Sequence, residues 1–283
     1  MIKGIILDVD GVIVGGKPGV NFPVPHKDVI DALRSISRSG IYVSLCTAKP
    51  GFAISRLVKQ IGLDTIHISN GGAEVINHVQ NKILENHSID IESGARFVKE
   101  TRARRLYTEA YTTVGYAIEK GSFCKLTEIN MSILDTKPLQ VSSLEDFVRQ
   151  NEIVKIMPAA FNDFDKQTIE SLMSNFSKLQ LQWGGNLAYA PTLFGVVTQN
   201  GVTKKSGACD ISKHTGIPFD KMLGIGDGLS DLEFMQLCTY IGTVANAEEK
   251  VKEYVKNRKS NGYIGRSVDE NGILDILKYF KVG

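Results

Sequence analysis

Three short apolar runs each break off at a residue that a buried strand has little use for. Ile2 to Leu7 stops at Asp8, Ile41 to Cys46 stops at Thr47, and Met222 to Ile225 stops at Gly226-Asp227. Runs this short, apolar at nearly every position, describe strands covered on both faces. The segments between them have the period of helices. After a turn-rich stretch from Gly15 to Pro25, the residues Val29, Ile30, Leu33 and Ile36 share one helical face. Pro25 suits the start of that helix and Gly40 its end. A second helix turns Phe52, Leu57, Val58 and Ile61 inward and stops at Gly62, and a short strand from Thr65 to Ser69 closes at Asn70-Gly71-Gly72. Near the other end, helices over Lys204–His214, Leu229–Leu237, Glu248–Lys256 and Gly272–Phe280 alternate with strands at Met222–Ile225 and Tyr240–Val244. Strands separated by helices require right-handed crossovers, so the expected fold is α/β: a Rossmann-like parallel sheet with helices on both faces.

Between these two parts the pattern changes. Tyr111 to Ile118 has the mixed polar and β-branched character of half-exposed antiparallel strands. Helices are expected at Glu92–Arg105 and Asp163–Leu179, with strand character at Ile153–Met157 and Leu179–Trp183. The reading is a core made of residues 1–80 and 190–283, with an α+β cap over residues 81–189 inserted between its halves. A chain of 283 residues suffices for two such units.

Charge and cysteine usage narrow the class. Thirty-three basic residues against 31 acidic ones leave a net charge of +2, which gives nucleic-acid binding no electrostatic footing. No apolar run is long enough to span a bilayer, and Asp8 and Asp10 interrupt the N-terminal one, so it is read as a strand and not as a secretory signal. Cys46, Cys124, Cys209 and Cys238 are scattered without zinc spacing, and three of them lie in apolar stretches, which points to core thiols in a reducing cytoplasm.

In an open parallel sheet the carboxyl ends of the strands meet at one crevice, where ligands bind. Asp8-Val9-Asp10-Gly11, Thr47 and Gly226-Asp227-Gly228-Leu229-Ser230-Asp231 all stand at such ends, and Lys204 opens the helix before the last of these strands. Each has an ordinary reading by itself. Asp and Gly favour turns, a strand-end Thr bonds to nearby backbone, Ser230 could cap a helix, and Lys204 could be solvated. None of these readings accounts for all four features in this order.

The order resembles that of the haloacid dehalogenase superfamily, which runs from an apolar strand and D-x-D-G through a strand-end Ser or Thr and a Lys to G-D-x-x-x-D. The matching text is ILDVDGVIV, LCTAK, ISNGGAEVI, NGVTKKSG, LGIGDGLSDLEFM, GTVANAEEKVKEYV and DENGILDIL. More narrowly, the chain is similar to the Cof-type subfamily with a large αβ cap, which includes sugar-phosphate, phosphoglycolate and sucrose-phosphate phosphatases. The resemblance covers both ends of the chain and matches the cap least.

The resemblance implies a magnesium-dependent phosphatase acting on a small phosphorylated metabolite through an aspartyl-phosphate. It assigns Asp8 as nucleophile, Asp10 as general acid and then base, Thr47 and the Ala48 amide to the phosphoryl oxygens, and Lys204 to charge compensation. The metal ligands it implies are the Asp8 side chain, the Asp10 backbone carbonyl and Asp227, with Asp231 acting from behind them. The chain has departures of its own. Thr47-Ala48-Lys49 stands where many relatives read Thr-Gly-Arg, Lys205 stands where glycine is frequent, and Ser230 replaces a common asparagine. Lys204 is preferred to Lys205 because its spacing after Gly201-Val202 matches the family. Two other functions stay open at this point: a sugar phosphomutase or phosphotransferase, and a non-catalytic phosphometabolite-binding protein. A monomer or homodimer is expected, with neither a nucleic-acid nor a membrane partner. The five histidines show no ligand spacing, Arg102-Ala103-Arg104-Arg105 reads as a wet helix face, and Trp183 reads as cap packing.

Overall fold

A computed structural model describes residues 1–184 and 190–282. The chain opens with β1 (Gly4–Leu7), α1 (Lys27–Arg38), β2 (Tyr42–Leu45), α2 (Gly51–Ile61), β3 (His67–Ser69), β4 (Glu74–Asn77) and β5 (Lys82–Asn86). It continues through α3 (Ile91–Ala103), β6 (Thr108–Tyr111), β7 (Tyr116–Glu119), α4 (Lys125–Leu134), β8 (Leu139–Val141) and α5 (Leu144–Gln150). Next come β9 (Lys155–Ala160), α6 (Asp163–Met173), β10 (Leu179–Gly184) and β11 (Leu193–Gln199). The last part holds α7 (Lys204–Thr215), β12 (Met222–Ile225), α8 (Leu229–Met235), β13 (Tyr240–Val244), α9 (Glu249–Asn257), β14 (Gly262–Gly265) and α10 (Ile273–Tyr279).

Among the described residues these strands form three sheets. The core sheet is parallel, in the order β14-β13-β12-β1-β2, and β1 pairs with β12 on one side and β2 on the other. All four residues of β1 are buried, as its unbroken apolar run requires. Ile5 and Leu7 pack with α1, α2 and α10 on one face, while Ile6 packs with α7, α8 and α9 on the other. Each such aliphatic side chain taken from water contributes about 1.5–3 kcal/mol before entropy is counted. Beyond β2, a parallel bridge between Cys46 and Ile68 attaches the antiparallel ladder β3-β4-β5.

The inserted unit is a six-stranded sheet ordered β10-β11-β9-β6-β7-β8. Helices α3, α5 and α6 cover one face. On the other face Tyr107, Tyr111, Tyr116 and Met157 meet Leu126 and Leu134 of α4, together with Phe52, Ala53 and Ala73 of the core. The strands that the stretch Tyr111 to Ile118 joins are buried on both faces and not half-exposed as expected, and only the turn between them, with Val114 at its tip, reaches the surface. Strand pairing also cuts across the limits 81 and 189. Lys82–Asn86 ladders with β4, and Leu193–Gln199 lies between β9 and β10. We therefore propose about 87 and 200 as the limits of the cap. No helix among the described residues is long and apolar enough to cross a membrane. Cys46 and Cys238 are core thiols, but Cys124 is half-buried and Cys209 exposed, so the expectation of three core cysteines is met by two.

The junction of β2, β3 and β4 buries two imidazoles, His67 and His78, stacked with centroids 5.7 Å apart. His67 Nδ1 accepts from the Leu45 amide at 3.1 Å, so the ring is held neutral. Burial pulls His67 down to about 3, helped by His78, and pulls His78 down to about 4, helped by Lys59. The unfolded chain takes up these protons near pH 6.5. The stability the pair contributes is thus complete above that pH and is lost as pH falls through about 4 and then 3. Melting temperature should fall between pH 6.5 and 4. His78→Phe keeps the stack and removes a ring whose Nε2 has no hydrogen-bond partner, so it should flatten that fall by a few degrees. An unchanged pH profile in the variant would show that other groups govern the acid limb.

Candidate active site

The register of the core sheet assembles the site. Leu7 stands level with Leu45 on one side and Ile225 on the other. All three strands are parallel, so Asp8 one residue on, and Thr47 and Asp227 two residues on, emerge at one sheet edge. The Asp8 amide continues the ladder, donating to Ile225 O at 2.9 Å, and its Oδ1 accepts from the Val9 amide at 2.7 Å. The chain then turns at Gly11, with φ +79°, where a Cβ would stand 2.1 Å from Asp227 Oδ2. Only glycine lets the first loop pass so close to the second acidic loop. Asn246 steadies that turn by donating to Gly11 O at 2.9 Å.

Oxygens of Asp8, Asp227 and Asp231 all lie within 4.8 Å of one another. Into this cluster α7 delivers Lys204, which is 3% exposed, with Nζ 3.1 Å from Asp8 Oδ1 and 2.6 Å from Asp231 Oδ1. Thr203 fixes where α7 begins, since its hydroxyl accepts from the amides of Lys205 and Ser206 while Ser206 Oγ accepts from the Thr203 amide. Lys204 thereby points inward, and neighbouring Lys205 is exposed. The helix can pack this closely because Gly72 (φ +108°) would otherwise put a Cβ 2.0 Å from Thr203 O. Asp231 is fully engaged, as its Oδ2 accepts from the amides of Asp227 and Gly228, each at 3.0 Å.

Burial, then repulsion from Asp231, raises Asp8 to about 7 against the pull of Lys204. Burial, then Asp8 and Asp231, raises Asp227 to about 8. Burial opposes the Lys204 charge, but Asp231 and then Asp8 outweigh it and hold the ammonium well above its usual range. Three carboxylates here share one lysine, so the cluster resists full ionisation unless a further cation joins it. It is a set of hard oxygen donors that a divalent cation would suit.

Asp10 is not one of these three carboxylates, though its charge also raises Asp8 and Asp227, and its Oδ1 lies 2.9 Å from Lys49 Nζ. Lysine in place of the more frequent arginine thus still supplies a cation here. Thr47 is buried, and its Oγ1 accepts from the Lys49 amide at 3.1 Å. Behind the turn, buried Glu74 accepts from Ser69 Oγ at 2.5 Å and Asn70 Nδ2 at 3.0 Å. Sequence reasoning missed Glu74, the Lys49–Asp10 pair and Lys155 of the cap, which donates to Ala48 O at 2.8 Å. Glu74 follows a glycine pair within a recognised motif, a signal that could have found it. Lys155 has none, because it reaches the turn across 107 residues of chain.

The remaining sequence candidates lie elsewhere. His67 and His78 are core residues, while His87 pairs with Asp210 and His214 with Glu85. Arg102 pairs with Glu119 and Arg104 with Glu100, and Arg102, Arg105 and Glu119 line a cap cavity of about 370 Å³ that Asp8, Asp10, Asp227 and Asp231 do not line. Trp183 donates to Glu170 at 2.9 Å within the cap.

A capped parallel sheet with acidic strand ends and one buried lysine defines the class of enzymes that move phosphoryl groups through a carboxylate-lined crevice. The haloacid dehalogenase-like hydrolase family model matches residues 5–277, and the chain belongs to that family of phosphatases and phosphotransferases. It is similar to two Bacillus subtilis proteins. One is the stress response protein YhaX, 22% identical over 98% of this chain and 93% of that one; the other is the phosphatase YwpJ, 21% identical over 98% and 99%. Its fold matches that of BT4131, described as a subclass IIB sugar phosphatase, with a TM-score of 0.79 at 18% identity over 99% and 100% of the two chains. Family members use a divalent metal, and the three carboxylates fit one.

If they do hold a cation, the protein should melt several degrees higher in millimolar magnesium chloride than in EDTA, because a ligand bound only to the native state stabilises it. Asp227→Asn should abolish that increment while raising the metal-free melting temperature, since it removes one of the mutually repelling buried carboxylates. Identical melting of the wild type with magnesium and with EDTA would argue that the cluster binds none.

Proposed function

We propose that this chain is a magnesium-dependent phosphatase that hydrolyses a small phosphorylated metabolite, a sugar phosphate or phosphoglycolate-like ester, through a phosphoryl group carried on Asp8. The observation that carries this reading is the buried Lys204 shared between Asp8 and Asp231. A lysine so placed favours the ionised form of the Asp8 carboxylate and presents a cation to an incoming phosphate. The similarity to a phosphatase and a sugar phosphatase supports the choice of substrate class.

In this reading Thr47 Oγ1, the Ala48 amide and Lys204 hold the phosphoryl oxygens. An Asp8 oxygen attacks phosphorus in line with the ester oxygen, and the P–O bond to the leaving group breaks as the new one forms. Asp10 gives its proton to the departing oxygen. The resulting carboxylate then takes a proton from water, whose oxygen attacks the phosphoryl-aspartate, releasing inorganic phosphate and restoring Asp8. Magnesium, held by Asp8, Asp227 and the Asp10 backbone carbonyl with Asp231 behind them, would supply the positive charge that lets an anion approach a phosphate. Lys49 beside Asp10 would hold that side chain in place between the two half-reactions.

The test is phosphate release from p-nitrophenyl phosphate and a panel of sugar phosphates. Activity should require magnesium and vanish in Asp8→Asn, and Asp10→Asn should lower kcat by about 10²–10⁴. Transfer to a sugar acceptor in preference to water would make the protein a mutase or phosphotransferase. Tight phosphometabolite binding without turnover would make it a binding protein. Inactivity across the panel with magnesium present would count against hydrolysis.

A further inference from the structure

The turn after β2 presents three consecutive carbonyls, and each is held. Thr47 O accepts from the Gly71 amide at 3.0 Å, and Lys49 O accepts from the Asn70 amide at 2.8 Å. Both donors belong to the core. The middle carbonyl, Ala48 O, is held from the cap by Lys155 Nζ at 2.8 Å. Ala48 C=O and Lys49 N–H are the two ends of one peptide group, and that N–H donates to Thr47 Oγ1 at 3.1 Å. A donor at the oxygen of an amide polarises the group and strengthens its N–H as a donor. With one lone pair of Thr47 Oγ1 occupied in this way, the hydroxyl proton is left for an incoming oxygen.

Lys155 is built for a fixed contact. It is 1% exposed, and its ammonium lies 4.2 Å from the centroid of the Tyr111 ring. The Tyr111 hydroxyl donates to buried Glu109, which also accepts from the Tyr107 hydroxyl, while Asn130 Nδ2 donates to both of its carboxylate oxygens. Burial draws the Lys155 ammonium down to about 7 against Glu109 and Glu74, and the nitrogen donates hydrogen bonds in either protonation state. Placing a lysine in such a pocket is costly, and packing alone would be served better by an apolar side chain.

We propose that Lys155 is a positioning residue, through which the cap completes the phosphate-gripping turn by a relay running from Lys155 Nζ through the Ala48–Lys49 peptide to Thr47 Oγ1. The turn is then fully formed only with the cap seated, which couples enclosure of a substrate to the grip on its phosphoryl group. The inference rests on the phosphatase reading of Thr47.

Lys155→Met keeps the length of the side chain and removes the donor; Lys155→Arg restores a donor. Inhibition by orthovanadate should weaken about tenfold in Lys155→Met, the effect of losing one hydrogen bond of about 1.4 kcal/mol. KM should rise by a similar factor for p-nitrophenyl phosphate and for a larger sugar phosphate alike, with melting temperature little changed and Lys155→Arg recovering most of the loss. In a Thr47→Ala background, Lys155→Met should have no further effect on vanadate inhibition. If Lys155→Met does not fold, Lys155→Gln, too short for the contact, serves in its place. Unchanged vanadate inhibition, a loss confined to the larger substrate, or a full Lys155 effect without the Thr47 hydroxyl would each overturn the relay. A wild type that neither releases phosphate nor binds vanadate would remove the functional reading and the relay together. One that binds vanadate as well as its Lys155→Met variant would remove the relay alone.

Discussion

A single ammonium makes the centre of this protein possible. Asp8 from the end of β1 and Asp231 from the first turn of α8 approach the same buried nitrogen, at 3.1 and 2.6 Å, and without it two buried carboxylates would face each other. Removing one partner from such a buried group costs on the order of 3–5 kcal/mol, because it strands the charges that remain. The surrounding architecture follows from the need to bring that lysine in. α7 starts where Thr203 caps it, and Gly72 gives it room to approach β3. Asp231 receives two amides of the loop that leads into α8, which aims its other oxygen at Lys204.

The arrangement remains short of positive charge. Asp8 and Asp227 are both pushed toward neutrality, first by burial and then by neighbouring carboxylates. A fold gains nothing in stability from carboxylates held this way. Such a cluster makes sense as a receptor for cations and for a group whose negative charge they offset. The cap bears on the same point. Its sheet buries Tyr107, Tyr111 and Met157 against Phe52 and Ala73, so the inserted unit and the core share one apolar cluster beside the candidate site.

Much of the core is legible in the residues because local rules and the tertiary outcome agree there. A strand buried on both faces must be apolar throughout, so β1, β2 and β12 announce themselves, and the acidic or hydroxyl residues after them stand out against those runs. The cap yields less. Its hairpin from Tyr111 to Ile118 reads as half-exposed, yet Tyr111, Tyr116, Ala117 and Ile118 are buried, and so is Glu109 just before it, satisfied by Tyr107, Tyr111 and Asn130. β11 looks like a return to the core in sequence and is an interior strand of the cap sheet in space, between β10 and β9. Its neighbours β9 and β10 are chosen by pairing, which leaves no mark in local composition.

By itself the sequence determines that parallel strands end in carboxylates and a hydroxyl, because burial and turn chemistry restrict which residues each position accepts. Tertiary structure alone decides which oxygens share Lys204, that Lys49 meets Asp10, and that a cap lysine reaches the Ala48 carbonyl. Contacts of that kind depend on where two distant segments come to rest within a few ångströms. A side chain that is ordinary in its own neighbourhood carries no trace of them.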